Sequence, residues 1–425
     1  MTFISYNQVE RKLEEFIKQG KSNKDTYTLE RMRRMLDFLG NPQDSYRTIH
    51  IAGTSGKTST AYYCAALLIG SGLNVGITVS PHIDSIAERA QINLKNIPEI
   101  KYCEYFTQFM KIVSRFGTEP TYFEITIAFA FWVFREMKVD VAVIEVGLGG
   151  LLDGTNVITR QDKIAIITDI GLDHTEVLGN SITLIAKQKA GIIHGGNSVF
   201  MSNQATDVIN VIHRRCQSEK ATLHIVDSPN TAVEKTGLPQ FQKRNLTLAI
   251  SAINYFLHRD GRPQVKDTLI DTVTKRYIPA RFEVVQTGTK KVIMDGSHNS
   301  QKIEALVTAV HNKYPADKVI LLVSFGENKL STVKASLELL RSIAGHIIVT
   351  SFDSSQDFGR KSIDPLILAS ICHELGYKEV AIIPDLKDAM NNFLRFPNSL
   401  GLITGSFFLV SAARPLLNDY LTATR

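Results

Sequence analysis

The sequence of 425 residues has 44% hydrophobic and 21% charged residues, the composition of an ordinary globular protein of two or three domains. Its formal net charge of +6 is modest, and no run of Lys or Arg suggests a nucleic-acid partner. No apolar stretch reaches the length of a membrane span, the N-terminus has no signal-peptide core, and the four cysteines are too scattered for a disulfide framework or a zinc site.

The first half of the chain alternates strand-like and helix-like segments. A strand-like segment leads into a glycine turn at Gly53, and a helical pattern follows through Leu68. Apolar strands that alternate with helices form parallel sheets covered on both faces, so this half predicts a doubly wound, mostly parallel sheet. The predicted strands are 48–52, 74–79, 139–144 and 164–167.

A second alternation of strands and helices begins after residue 280. Its predicted strands are 292–294, 319–323, 347–349, 380–383 and 402–403, and its helices include 301–313 and 366–375. We therefore predict an α/β protein with a P-loop-containing domain over residues 1–279 and a smaller, Rossmann-like α/β domain over residues 280–425. A nucleotide is expected in a cleft between them, since ligands often bind at domain interfaces.

Residues 53–59 match a short phosphate-loop pattern, GxxGK[ST], between a strand and a helix. Phosphate binding needs this arrangement because glycines let the backbone approach the oxygens and a helix N-terminus favours an anion. Ile51 stands where the longer Walker pattern has a glycine, so the pattern alone also fits a glycine turn with a surface lysine. The surrounding strand and helix favour a nucleotide site. Its predicted contacts are Gly53, Thr54, Ser55, Gly56, Lys57, Thr58 and Ser59.

Further short motifs are spread over nearly the whole chain. They are residues 29–32 (LERM), 39–42 (LGNP), 80–82 (SPH), 123–124 (FE), 139–150 (VDVAVIEVGLGG), 155–156 (TN), 171–176 (GLDHTE), 186–193 (AKQKAGII), 280–283 (ARFE), 295–299 (DGSHN) and 404–406 (TGS). In this order they resemble the folylpolyglutamate synthase and dihydrofolate synthase family of the Mur ligase superfamily. Any single motif could arise by chance, but the ordered set is highly specific.

The resemblance implies an ATP-dependent ligase that adds L-glutamate to tetrahydrofolate, with dihydropteroate as a further acid to consider. A carboxylate is a poor electrophile, so ATP first converts it to an acyl phosphate, and ADP and phosphate are released. Mg²⁺ and Lys57 would neutralise charge during this phosphoryl transfer.

The resemblance also implies a role for individual residues. It assigns Mg²⁺ to Ser80, Glu145 and His174, and catalysis to Lys57, Lys189 and His174. It assigns the adenine to Asn245, phosphate to Arg281, ribose to Asp295, and the glutamate site to His298 and Ser406. Lys189 resembles a position that reacts with carbon dioxide, and the resulting carbamate would give Mg²⁺ an anionic ligand on a long side chain.

Most of these residues also have an ordinary structural interpretation. The structural alternatives are a turn at Ser80, a capping or structural pair of His174 with Asp173, a solvated helix position at Lys189, a helix N-cap at Asn245 and a linker charge at Arg281. Glu145 is the hardest to explain structurally, because a carboxylate inside an apolar run needs a cation or hydrogen bonds.

Several positions depart from the family pattern. They are Ser55, Thr58, Leu151, Ser300 and residues 327–329 (ENK). The loop with Thr58 is closer to that of peptidoglycan Mur ligases, which keeps open another Mur-type amide ligase acting on a cell-wall precursor. A non-catalytic P-loop module that only binds nucleotide is the other alternative. The departures bear on substrate choice more than on the ATP machinery.

The expected partners are therefore small molecules: ATP, L-glutamate and a folate or dihydropteroate. No nucleic acid and no membrane are expected. The singly placed cysteines and the N-terminal sequence favour a cytoplasmic location, and we expect a monomer.

Overall fold

The computed structural model describes residues 2–19, 28–227, 230–287, 290–315, 318–354, 360–396 and 400–423. The chain divides into two units, Met1–Arg276 and Tyr277–Arg425. Across the described ranges, none of the helices combines the length and the apolar character that a membrane crossing requires.

The described strands of the first unit form one eight-stranded sheet. They are β1 Arg47–Ala52, β2 Val75–Thr78, β3 Gln91–Ile92, β4 Lys95–Asn96, β5 Val141–Glu145, β6 Ile164–Ile167, β7 Ser198–Ser202 and β8 Thr222–Val226. The strand order is β4-β3-β2-β5-β1-β6-β7-β8. The pairs from β2 to β8 are parallel, and only the two short strands β3 and β4 pair antiparallel. The mostly parallel sheet predicted from the sequence is confirmed.

Helices of the first unit cover this sheet. They are α1 Tyr6–Gln19, α2 Glu30–Phe38, α3 Lys57–Gly70, α4 Glu99–Val113, α5 Tyr122–Glu136, α6 Thr175–Leu178, α7 Ile182–Ala190, α8 Thr206–Glu219, α9 Thr231–Glu234, α10 Gln240–Arg259 and α11 Asp267–Thr274. One hydrophobic core lies between β5 and helices α1, α2, α4 and α5. Another lies between strands β1, β6 and β7 and helices α7 and α8. The continuous apolar runs of these strands follow from burial on both faces.

The second unit repeats the α/β pattern on a smaller scale. Its strands are β9 Glu283–Thr287, β10 Lys290–Met294, β11 Val319–Val323, β12 Ala344–Val349, β13 Asp353–Ser354, β14 Arg360–Lys361, β15 Val380–Ile382 and β16 Leu400–Thr404. Its helices are α12 Ser300–Lys313, α13 Val333–Arg341, α14 Pro365–Glu374, α15 Leu386–Arg395 and α16 Phe407–Ala423. Six strands form a sheet of order β15-β12-β11-β16-β10-β9, in which only β9 is antiparallel to its neighbour.

The topology of the first unit gathers the loops that the sequence analysis singled out. Strands β2, β5, β1 and β6 are neighbours in this order, and all four are parallel. Their carboxyl ends therefore meet at one edge of the sheet, where open α/β sheets bind ligands. The segments that follow them begin at Val79, Val146, Gly53 and Thr168.

Candidate active site

The phosphate loop connects the central strand β1 to α3, and close contacts shape it on two sides. A Cβ atom on Gly53 would lie 1.8 Å from Thr168 Oγ1, at the end of β6. Gly56 has a φ angle of 87°, and a Cβ atom there would lie 2.4 Å from Asn245 Oδ1. Both positions require glycine, because a side chain would either clash or strain the backbone. The loop backbone is thus held against β6 and α10.

The segment after β6 fixes the phosphate loop through hydrogen bonds. Thr54 N–H and Ser55 N–H donate to the Asp169 carbonyl at 2.8 and 3.1 Å. The Thr54 hydroxyl donates to the Gly171 carbonyl at 3.0 Å and accepts the Gly171 N–H at 3.1 Å. Arg244 Nε of α10 donates to the Asp169 carboxylate at 2.9 Å. Sequence reasoning missed Asp169 and Arg244, although the position of Asp169 just after a predicted strand was an available signal.

Two lysines converge on one carbonyl oxygen of the phosphate loop. Lys57 Nζ donates to the Gly53 carbonyl at 3.1 Å, and Lys189 Nζ donates to the same oxygen at 2.8 Å. The Lys189 residue is only 4% exposed. The alternative in which Lys189 is a solvated helix residue is therefore wrong. The two ammonium groups lie close together, and this concentration of positive charge suits a polyphosphate.

Glu145, the last residue of β5, lies beside the start of α3. It is 2% exposed, and its Oε1 accepts a hydrogen bond from the Thr58 hydroxyl at 2.9 Å. Its Oε2 accepts the Ser80 N–H at 3.4 Å. The structure therefore brings together Glu145 and Ser80, two of the three predicted metal ligands, with the Thr58 hydroxyl as a further oxygen.

His174, the third predicted ligand, lies between carboxylates. It precedes α6 with a φ of 50°, a left-handed conformation that is uncommon outside glycine. Its Nε2 lies 3.9 Å from Asp173 Oδ1, its Nδ1 lies 3.7 Å from Glu176 Oε1, and its side chain is 30% exposed. The structural alternative of a pair with Asp173 is thus present. Among the residues that the structure describes, no group of three or more His, Cys, Asp or Glu side chains could hold a metal.

Asn245 lies inside α10 and close to the phosphate loop. Pro239 is the N-cap of this helix, so the alternative in which Asn245 caps a helix is wrong. The helix begins at Gln240, five residues before the apolar pattern predicted its start, and these residues (QFQKR) are mostly polar. Asn245 is 5% exposed and lies next to Gly56, as the clash of a Cβ atom there shows.

In the second unit, Arg281 precedes β9 and Asp295 follows β10, so both lie at the same end of this antiparallel pair. The Arg281 guanidinium stacks over the Phe407 ring at 4.1 Å and donates to the Ala280 carbonyl at 3.1 Å. The buried Asp295 accepts the Phe282 N–H at 2.7 Å and both the N–H and the hydroxyl of Ser297. Burial raises the pKa of Asp295, while the Ser297 hydrogen bond and the Arg281 charge oppose this shift.

His298 and Ser406, the predicted glutamate-site residues, lie near the start of α16. His298 Nδ1 lies 2.8 Å from the Gly296 carbonyl and must carry the proton, because a carbonyl only accepts. His298 Nε2 lies 3.1 Å from Lys302 Nζ. Ser406 Oγ accepts the Phe408 N–H at 3.1 Å. Phe407 was not predicted, yet its ring contacts both Arg281 and His298, the latter at 5.4 Å between ring centroids.

Comparisons with known proteins agree with this architecture. Residues 51–257 match the Mur ligase middle domain, and residues 280–407 match the Mur ligase glutamate ligase domain. The dihydrofolate synthase/folylpolyglutamate synthase of Bacillus subtilis is 30% identical, over 92% of this chain and 94% of the relative. The dihydrofolate synthetase of Saccharomyces cerevisiae is 29% identical, over 92% and 98%. The structure of Mycobacterium tuberculosis folylpolyglutamate synthase complexed with ADP superposes with a TM-score of 0.82, at 26% identity, over 97% and 98%.

The sheet order, the phosphate loop and the two domain matches together define a ligase of the Mur type. Such enzymes use ATP to join an acid to an amino acid. Within this class, the chain belongs to the folylpolyglutamate synthase and dihydrofolate synthase family. The family that the sequence motifs resemble is thereby confirmed.

Proposed function

We propose that this chain joins the amino group of L-glutamate to a carboxyl group of tetrahydrofolate, with dihydropteroate as a second acid, and releases ADP and phosphate. The convergence of Lys57 and Lys189 on Gly53, beside the Thr58–Glu145 pair, carries the proposal. Positive charge beside a glycine loop suits the transferred phosphoryl group, and the buried carboxylate suits its metal ion. Membership of the family supports the choice of substrates.

The reaction proceeds in two steps. A carboxylate oxygen of the acid attacks the γ-phosphorus of ATP, and ADP leaves with its charge neutralised by Lys57. The glutamate amine then attacks the carbonyl carbon of the acyl phosphate, and phosphate leaves. The backbone N–H groups at the start of α3 and the Lys57 ammonium hold the phosphates in line for the first step.

The residues at the sheet edge fit a magnesium ion. Glu145 supplies a buried carboxylate, and the Thr58 hydroxyl beside it supplies a second oxygen, the type of ligand that this hard cation prefers. The Ser80 backbone contacts the same carboxylate. We propose that Ser80, Glu145 and His174 would hold Mg²⁺, which would offset the negative charge of the phosphates during the transfer.

We propose further that Lys189 is carbamylated, when its neutral amine attacks carbon dioxide and loses a proton. Burial beside Lys57 supports this, because two neighbouring ammonium groups disfavour each other and one carbamate would replace repulsion by attraction. Carbon-13 NMR of the native protein in labelled bicarbonate should show one carbamate signal, and this signal should be absent from Lys189→Ala. The Lys189→Ala variant should lose turnover and recover part of it with short carboxylic acids.

The remaining proposals concern the ligands of the two domains, the cellular location and the oligomeric state. We assign ATP binding, with Asn245, to residues 1–279. We assign glutamate binding to residues 280–425, with Arg281 and Asp295 on the nucleotide and His298 and Ser406 on glutamate. The positions of Arg281 and His298 around Phe407 support a shared site in that unit. We also propose that the protein is a cytoplasmic monomer.

Product analysis tests the proposed function directly. The protein is incubated with ATP, L-glutamate and either tetrahydrofolate or dihydropteroate, and the products are identified by mass spectrometry. One glutamyl residue should be added to the pterin acid, with ADP formed in equal amount. Activity confined to a UDP-linked muramyl acid would instead make the chain a cell-wall ligase, and ADP release independent of any acid would point to a nucleotide-binding module.

A further inference from the structure

The glycine-rich segment after β5 lies in direct contact with the last turn of α7, the helix that carries Lys189. Leu151 N–H donates to the Gln188 carbonyl at 2.7 Å. A Cβ atom on Gly150 would lie 2.7 Å from that carbonyl oxygen and 3.1 Å from Lys189 Cα. One on Gly191 would lie 2.4 Å from Leu151 Cα. The two backbones thus touch, and neither glycine has room for a methyl group.

The side chain of Asn156 bridges this segment and the end of α7. Its Nδ2 donates to the Leu151 carbonyl at 2.9 Å and to the Gly191 carbonyl at 3.1 Å. Its Oδ1 lies 2.9 Å from His194 Nε2, and the residue is 3% exposed. Because both N–H groups point at carbonyls, Oδ1 must accept, and His194 must carry its proton on Nε2. No other orientation of the amide satisfies all three partners.

A second buried side chain holds the other end of the same segment. Asp153 Oδ2 accepts the Leu148 N–H at 2.8 Å, and Oδ1 accepts the Thr155 N–H at 2.9 Å. The Thr155 hydroxyl lies 2.9 Å from Nε2 of His50, on β1. The segment is therefore fixed to the central sheet at one end and to α7 at the other.

We propose that Asn156 is a positioning residue, whose amide holds the segment 147–151 against α7 and thereby fixes the Lys189 ammonium at the Gly53 carbonyl. The catalytic consequence rests on the proposed function. A lysine side chain is long and flexible. The position of its terminal nitrogen is therefore fixed only as long as the backbone that carries the side chain is fixed. Two donors from one buried amide, at the turn that follows Lys189, supply this confinement.

Two variants disturb the bridge in different ways. Asn156→Asp keeps the shape but sets a carboxylate against two carbonyl oxygens, with no donor left between them. Gly191→Ala acts only through the contact with Leu151, since the φ of Gly191 is an ordinary −57°. Asn230→Asp is the matched control, because Asn230 uses its oxygen as an acceptor for two N–H groups. Gly237→Ala is the other control, since nothing lies within 4 Å of a Cβ atom there.

The main readout is the rate at which acetic anhydride labels Lys189 in buffer freed of carbon dioxide, followed by peptide mass spectrometry. Both test variants should label Lys189 several-fold faster than the wild type, and both controls should match the wild type. The buried Lys290 of the second unit serves as the internal reference. In the ligase assay, the kcat of both test variants should fall by about a hundredfold, because a misplacement of about 1 Å has an effect of this size. The KM for ATP should be unchanged.

The outcomes separate this inference from the proposed function. Unchanged labelling of Lys189 in both variants would overturn the positioning role, whatever the activity. Faster labelling accompanied by loss of helical circular dichroism in both variants would also overturn it, because the labelling would then report unfolding. If Asn156→Asp does not fold, Gly191→Ala decides. Selective labelling in a protein whose wild type has no ligase activity would support the bridge and refute the proposed function.

Discussion

The buried carboxylate of Glu145 offers the sharpest test of the proposed metal site. Glu145→Gln keeps the volume of the side chain and one oxygen that can accept from the Thr58 hydroxyl or the Ser80 N–H. It removes the negative charge. The substitution should therefore act on whatever charged ligands bind at this edge of the sheet, with little effect on packing.

The expected effect of Glu145→Gln on nucleotide binding depends on whether Mg²⁺ is present. With an effective dielectric constant of about 20, two unit charges about 5 Å apart interact by about 3 kcal/mol. In the absence of Mg²⁺ the carboxylate repels the phosphates, so Glu145→Gln should bind ADP more tightly, by up to about a hundredfold. In the wild type, Mg²⁺ should tighten ADP binding by about 5–150-fold, the usual range of coupling between sites. This dependence should be absent from the variant.

Titration with a fluorescent ADP analogue, in Mg²⁺ and in EDTA, measures both effects. Glu124→Gln is the control, because Glu124 is also a buried carboxylate but pairs with Arg31 at 2.7 Å. It should leave the Mg²⁺ dependence intact. A Glu145→Gln variant that kept the wild-type Mg²⁺ dependence would show that Glu145 does not belong to the metal site. Weaker ADP binding in EDTA would show that the carboxylate supports the loop instead.

Three further predictions follow from charge and burial. Lys57→Ala should abolish ADP release in the ligase assay with an unchanged circular dichroism spectrum, because the side chain adds charge and little packing; unchanged turnover would exclude the loop from catalysis. Glu283→Gln should lower the free energy of unfolding of the second unit by about 3 kcal/mol in urea titration, because it removes the negative charge that faces the buried guanidinium of Arg414. Burial, together with the charge on Lys163, lowers the pKa of His194 from 6.5 to about 4. Between these two pH values the unfolded chain binds a proton at His194 and the folded chain does not. The urea midpoint of the first unit should therefore fall as pH drops below about 6.5, and less steeply in His194→Gln.

The sheet and the phosphate loop were predictable because their signals are local. A strand buried on both faces reads as a continuous apolar run, as in residues 139–144, and the glycine loop follows one such run directly. Strand β8 was missed because its signal is weak. β8 lies at the edge of the sheet and is only partly buried, so its sequence TLHIV carries a weak pattern.

The surroundings of the site residues were not predictable, because they depend on contacts that are remote in sequence. The sequence around Lys189 is typical of a surface position on a helix, and its hydrogen-bond partner Gly53 lies 136 positions away in the sequence. The sequence around Asn245 similarly suggests the start of a helix. Its contact with Gly56 follows from the packing of α10 on the phosphate loop. Sequence motifs thus selected the candidate residues, while the burial and the partners of these residues could come only from the fold.

The same contacts bear on Leu151, one of the positions that depart from the family pattern. The backbone of Leu151 is fixed on both sides, by its N–H to the Gln188 carbonyl and by its carbonyl to Asn156 Nδ2. Its side chain is 41% exposed. A change of side chain there alters the surface beside the site without moving Lys189, whereas a methyl group at Gly191 would press on the backbone itself. A different side chain at residue 151 is therefore compatible with the backbone contacts that hold the end of α7, whereas a side chain at residue 191 is not.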